Sequence, residues 1–171
     1  MTIQKWNEKV SAILDKVIDK CAQEEKMLAH YNVHEGPYCN GVLFCDSTKE
    51  YVRCLFCADS ELLTACNDRT KAIAGNLKRE FDRDSSSAVS VEHGQYVDRW
   101  GKVTKVRKIE SSEKGTAYVN EKLLRVFPKN VKFYVTGPYS AVHVMMEDYP
   151  NFHYLGLVMP MRCENFEPIE K

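Results

Sequence analysis

The chain lacks any apolar run near the roughly 18 residues a membrane-spanning helix needs. It opens MTIQKWNEKV, without the apolar block of a secretory leader. It lacks net charge, with 24 Lys/Arg against 24 Asp/Glu. It has no P-loop, no G-x-G-x-x-G, no G-x-S-x-G and no H-E-x-x-H, so no familiar phosphate loop, nucleophile elbow or zincin helix is present. No cofactor is therefore expected. Internal repeats and low-complexity tracts are missing too. The seven cysteines are an odd number, and most lie in apolar segments. That argues against a disulfide framework and for free thiols in a reducing compartment. The expectation is a cytoplasmic protein with no membrane contact.

What is there is 171 residues, enough for one domain with a sizeable core. Hydrophobic residues make up 44% and charged residues 28%, ordinary values for a globular chain. The most ordered stretch runs from 40 to 84. GVLFC and YVRCLFCAD are short apolar runs around a polar break, the pattern of an antiparallel hairpin. Asp59 and Ser60 are good N-caps for a following helix. Leu62, Cys66, Ile73 and Leu77 would form one stripe of that helix, with Leu63, Thr70, Ala74 and Phe81 beside it.

Residues 1–31 read as a long amphipathic helix, with Trp6, Val10, Leu14, Val17 and Cys21 on its apolar stripe. The stripe fits a core face; it would also serve as a dimer seam or a docking helix. Residues 85–112 form a polar, weakly alternating hairpin that turns at Arg99–Lys102 and projects into solvent. Ala117–Phe127 reads as a short helix stopped by Pro128. NVKFYVT, SAVHVMM and FHYLGLVM make a three-strand meander. Residues 161–171 read as an acidic, solvated tail carrying Glu164, Glu167 and Glu170. The predicted order is α-ββ-α-ββ-α-βββ: a single α+β domain over 1–171, mainly antiparallel, with helices on one side of the sheet.

Charge is unevenly placed. Residues 69–108 hold ten Lys/Arg against five Asp/Glu, while 1–68 hold seven against eleven. The sharpest cluster is Arg99, Lys102, Lys105, Arg107 and Lys108, with Tyr96 and Trp100 beside it. Cations neutralise phosphates and aromatics stack on unpaired bases. The competing plain reading is a solvated edge hairpin guarded by lysines. Strand alternation puts Lys105 and Arg107 on one face, Lys102 and Lys108 on the other. Lys71, Lys78, Arg79 and Arg83 would extend the patch only if the fold brings them alongside.

Metal is the next candidate. His30 and His34 have H-x3-H spacing, and Cys54 and Cys57 have C-x2-C spacing. Cys54 and Cys57 lie in a regular strand, however, where a three-residue offset sends side chains to opposite faces. A structural role for the cysteines and no metal are expected. For catalysis, His143 and His153 lie in neighbouring strands and would approach only in one register.

These observations favour a small non-catalytic binding protein, contacting RNA, single-stranded DNA or an acidic protein surface through the basic hairpin. The alternatives are a Cys/His hydrolase or transferase, with or without zinc, and an interaction factor or homo-oligomer docked through the first helix.

Overall fold

The computed structural model describes residues 1–26, 28–34, 40–47, 52–62, 68–148 and 150–169. Side chains of residues 68–72 are outside that description.

Helix α1 spans Ile3–Gln23. Thr2 caps it, its Oγ1 accepting from the Lys5 N–H at 3.3 Å. Trp6, Val10, Leu14, Val17 and Cys21 are buried along one face. The helix ends seven residues before His30. Glu25 takes a left-handed φ of 54°, and the Lys26 N–H bonds back to the Cys21 carbonyl at 2.8 Å. Beyond that stop, β1 (His30–Val33) pairs antiparallel with β2 (Gly41–Cys45). Sequence reasoning read β1 as helix end and loop, because four residues show too little periodicity.

The expected hairpin forms between β2 and β3 (Arg53–Ala58). Arg53, the one charge in that apolar run, donates to Asp46 Oδ2 through Nε at 2.9 Å. Its Nη1 donates to the Leu123 carbonyl at 3.1 Å. The predicted helix start at Asp59 and Ser60 is corrected. Asp59 has φ 57°, and the Leu62 N–H bonds to Asn32 Oδ1 at 3.1 Å, which anchors a turn to β1. Helix α2 spans Asp68–Asp82. Leu77 is buried on it, with Ile73 and Phe81 packed alongside. Leu63 and Cys66 of the predicted stripe lie outside the described residues, as does the side chain of Thr70.

After β4 (Ser86–Ser87) come β5 (Ser90–Val97), β6 (Val103–Ser111) and β7 (Gly115–Asn120). Strand β7 corrects the helix predicted over Ala117–Phe127. Ala117 and Val119 are buried in alternation, and β7 pairs with β6 from Gly115 to Asn120. Only Glu121–Leu124 is helical (α3), capped by Asn120. The meander follows as β8 (Val131–Val135), β9 (Val142–Asp148) and β10 (Asn151–Val158). Finally β11 (Glu167–Pro168) pairs with Gln95 and Gly94 of β5.

Two antiparallel sheets result, ordered β1-β2-β3-β10-β9-β8-β4 and β11-β5-β6-β7. The fold is a mainly antiparallel α+β domain with three helices among the described residues. The first sheet is covered on both faces. Val42, Phe44, Leu55 and Val144 pack in one cluster with α1 and with Ile109, Ala117 and Val119 of the second sheet. Leu43, Cys45, Phe56 and Met145 alternate to the other face and pack with Leu77 of α2. The expectation of helices on one side is therefore wrong. Burial on both faces explains why β2, β9 and β10 read as near-continuous apolar runs. Each fully buried large side chain, Trp6 or Phe44 for example, contributes about 1.5–3 kcal/mol.

The stripe of α1 is used by this core, so the chain's own residues cover the proposed dimer seam. Ile18 remains at its margin, 36% exposed.

Candidate functional site: the basic hairpin and its base

The register of β5 against β6 sorts the hairpin by face. Val97–Val103, Gln95–Lys105, His93–Arg107 and Val91–Ile109 face one way. Tyr96–Thr104, Gly94–Val106 and Glu92–Lys108 face the other. Partners flank only the base. β7 begins its pairing at Val106, and β11 reaches no further than Gln95. Residues 96–105 therefore extend beyond the sheet as a two-stranded tip with no further strand beside it among the described residues, while 90–95 and 106–111 lie inside the four-stranded sheet and Ser86–Ser87 pair with β8 of the first sheet.

The turn at the tip is built by Asp98. Its Oδ1 accepts from the backbone N–H of Trp100 and of Lys102, both at 2.9 Å. The Gly101 N–H donates to the Asp98 carbonyl at 3.0 Å, and Gly101 sits at φ 81°, where a glycine is favoured. Arg99 stacks on Trp100, guanidinium carbon to ring centroid 4.2 Å. Trp100 is nevertheless 76% exposed. Lys102 and Lys105 are exposed, and Tyr96 is half-buried. Arg99, Lys102 and Lys105 enter no ion pair among the described residues.

The base treats its cations differently. Arg107 grips Glu121 with both arms: Nε to Oε1 at 2.9 Å and Nη2 to Oε2 at 2.8 Å. His93 Nδ1 lies 2.9 Å from the same Oε1. Burial works to raise the Glu121 pKa, but the Arg107 bonds and charge, with His93, hold it below its usual 4.5. Lys108 Nζ lies 3.8 Å from Glu110 and 5.9 Å from the Phe166 ring. Of the seven residues singled out, Arg107 and Lys108 thus belong to the structural base, and Arg99, Trp100, Lys102, Lys105 and Tyr96 to the tip.

The predicted solvated tail is corrected as well. It straps the outer face of the second sheet: Met161 N–H bonds to the Tyr118 carbonyl, and Ile169 N–H to the His93 carbonyl. Phe166 sits over Gly94 and 5.6 Å from the Tyr118 ring. Glu164 is exposed, Glu167 accepts from Gln95 at 3.1 Å, and Glu170 lies outside the described residues. The helix cations do not extend the patch. Lys78 and Arg79 ride on α2, against the opposite face of the first sheet, and Arg83 pairs with Glu80 at 3.0 Å. The Lys71 side chain lies outside the described residues.

The metal candidates are separated by the fold. Cys54 and Cys57 belong to different faces of the first sheet. His30 is buried in β1 with Nδ1 2.9 Å from the Leu28 carbonyl, while His34 is exposed near Glu61. Among the described residues no group of three or more His, Cys, Asp or Glu is placed to hold a metal ion. Cys39 lies outside them. The thiols are also poor nucleophiles. The Cys45 contact, burial and nearby charges push Cys54 well above its usual 9.0. Burial raises Cys57 likewise.

His143 pairs in register with Leu157, and His153 with Met146, so the two histidines do not meet. His143 instead contacts the Tyr154 hydroxyl through Nδ1 at 2.5 Å, at a cavity of about 450 Å³ between α2 and the meander. It is 4% exposed, and burial lowers its pKa to about 4. No serine or cysteine is hydrogen-bonded to it among the described residues, so the contact makes a neutral core histidine rather than a base beside a nucleophile.

A second cavity, about 490 Å³, opens where the hairpin base meets α3. His93, Arg107, Glu121, Arg125 and Lys129 stand around it, over Phe127 and Phe133. Sequence reasoning missed Arg125 and Lys129 because they lie about twenty residues from the basic cluster. It also assigned their neighbourhood to a longer helix.

Comparison with known proteins yields no neighbour: no family model matches the chain, and no curated protein or solved structure matches it. Among the described residues, no helix is long and apolar enough to cross a membrane.

Proposed function

We propose that the chain is a non-catalytic binding protein of the cytoplasm whose contact surface is the β5–β6 tip, and that its ligand is single-stranded RNA or DNA. One observation carries the reading. Arg99, Lys102 and Lys105, three cations with no ion-pair partner among the described residues, share with Trp100, 76% exposed, a stretch of hairpin that no other described strand covers. Phosphate neutralisation and base stacking need those two features together. The Asp98 turn fixes the backbone that carries Arg99, Trp100 and Lys102, which lowers the ordering cost of binding.

A second reading has its own support. Val103 is 54% exposed opposite Val97, on the same face as Lys105. An apolar spot rimmed by cations also suits an acidic protein surface.

The test is fluorescence anisotropy with labelled single-stranded RNA, single-stranded DNA and duplex DNA, at low and physiological salt. Replacing Arg99, Lys102 and Lys105 by alanine should weaken binding and reduce the slope of log K against log salt by about 2. Trp100→Ala should weaken single-strand binding by about 1–3 kcal/mol while sparing the salt slope. No binding of any strand at low salt would overturn the nucleic-acid reading and leave the protein surface.

A further inference from the structure

The cleft at the hairpin base has a polar side made almost wholly of donors. Glu121 is the only acid lining it among the described residues, and both its oxygens are engaged by His93 and Arg107. The pairing is half-buried, with Arg107 22% and Glu121 17% exposed. It fixes the ring of His93, whose Nδ1 is used and whose Nε2 is its remaining polar atom. Arg107 spends Nε and Nη2 on Glu121, which leaves Nη1 without a partner among the described residues. Arg125 and Lys129 are exposed at the rim and enter no ion pair among those residues. The cleft therefore carries surplus positive charge, since Arg125 and Lys129 have no carboxylate partner among the described residues. Its other wall is apolar: Leu124, Phe127, Val131 and Phe133. Its volume of about 490 Å³ falls within the usual range for small-ligand sites.

We propose that this cleft binds a phosphomonoester whose organic part carries a flat aromatic ring, with His93, Arg107, Arg125 and Lys129 around the phosphate and Phe127 and Phe133 on the side of the ring. A phosphate dianion answers two surplus charges and offers three oxygens to converging donors, which a carboxylate does not. Arginine suits it further, because its planar fork matches phosphate geometry. Two sources supply this chemistry: a free mononucleotide, and the terminal phosphate of a nucleic-acid strand. The proposal stands apart from the tip. It follows from the triad at the base and the rim cations.

The test uses the full chain in calorimetric titrations at low ionic strength with AMP, adenosine, inorganic phosphate, and one oligoribonucleotide with and without a 5′-phosphate. AMP is expected to bind saturably and to exceed both adenosine and inorganic phosphate. Arg125→Ala with Lys129→Ala, two exposed changes that leave the core intact, should weaken AMP by about tenfold or more, the worth of a charge-assisted hydrogen bond. Arg125→Lys with Lys129→Arg should restore most of it. AMP binding that survives Trp100→Ala belongs to the cleft, and AMP binding lost with Trp100→Ala belongs to the tip and overturns the proposal. A 5′-phosphorylated strand that outbinds AMP and its 5′-hydroxyl twin assigns the site to strand ends; the reverse order assigns it to the free nucleotide. Absence of saturable AMP binding, equal binding of adenosine and AMP, equal binding of phosphate and AMP, or an unchanged double variant overturns the proposal.

Discussion

At the base of the β5–β6 hairpin, Arg107 is locked to Glu121, and Lys108 lies near Glu110 and over Phe166. At the tip, a few residues along the same two strands, Arg99, Lys102 and Lys105 face solvent around an exposed tryptophan. The residue types are alike. The difference comes from neighbours: the base has β7, β11 and α3 beside it, and the tip has no further strand or helix beside it among the described residues. A cation beside a half-buried carboxylate is part of the fold. An exposed cation without a carboxylate partner is available to a ligand.

Acid should separate the buried region from the tip most strongly. His143 titrates near 4 when folded and near 6.5 when unfolded, so the unfolded chain takes up the proton first. Stability should therefore fall by about 3 kcal/mol as pH drops from 6.5 to 4. Glu121 adds a lower window. Its folded pKa is depressed, so its contribution is present above 4.5 and fades as pH falls through the folded value. Thermal melts against pH, for wild type and His143→Gln, check both: the variant should lose the upper window and keep the lower.

Removing the partner at the base comes next. Glu121→Ala strands a half-buried guanidinium and should cost about 2–3 kcal/mol by urea melt, whereas Lys105→Ala should stay within about 0.5 kcal/mol. Equal effects would erase the distinction between the two ends. Gly94→Ala probes the strap. A Cβ there would lie 2.3 Å from the Phe166 ring and 2.6 Å from the Glu167 carbonyl. It should cost about 1–3 kcal/mol and expose residues 161–169 to protease. The smallest expected change is Trp100→Ala, within about 0.5 kcal/mol in stability. A larger loss would mean that the tip is packed rather than free.

The candidate site was legible in composition but not in outcome. The cluster from Tyr96 to Lys108 stands out as a string of Lys, Arg and aromatics, and the Asp98–Gly101 turn follows from its own residues. Which cations remain available did not follow, because Glu121 reaches Arg107 from fourteen residues away and the strap returns from beyond 160. The base cleft was invisible for the same reason. The opposite faces of Cys54 and Cys57, by contrast, were readable from strand period alone.

By itself the sequence determined the elements whose signal is local: the 3.6-residue stripe of α1, the β2–β3 hairpin, the turn between β5 and β6, and the β8–β10 meander. These depend on side-chain period, caps and turn residues within a dozen positions. Only the tertiary structure decided that Ala117–Asn120 is strand, that β1 and β11 join sheets, and that α1 and α2 cover opposite faces. It alone separated the paired cations of the base from the free ones of the tip. Strand pairing and ion pairing draw their free energy from partners distant in the chain, and short-range periodicity carries no record of which partner arrives.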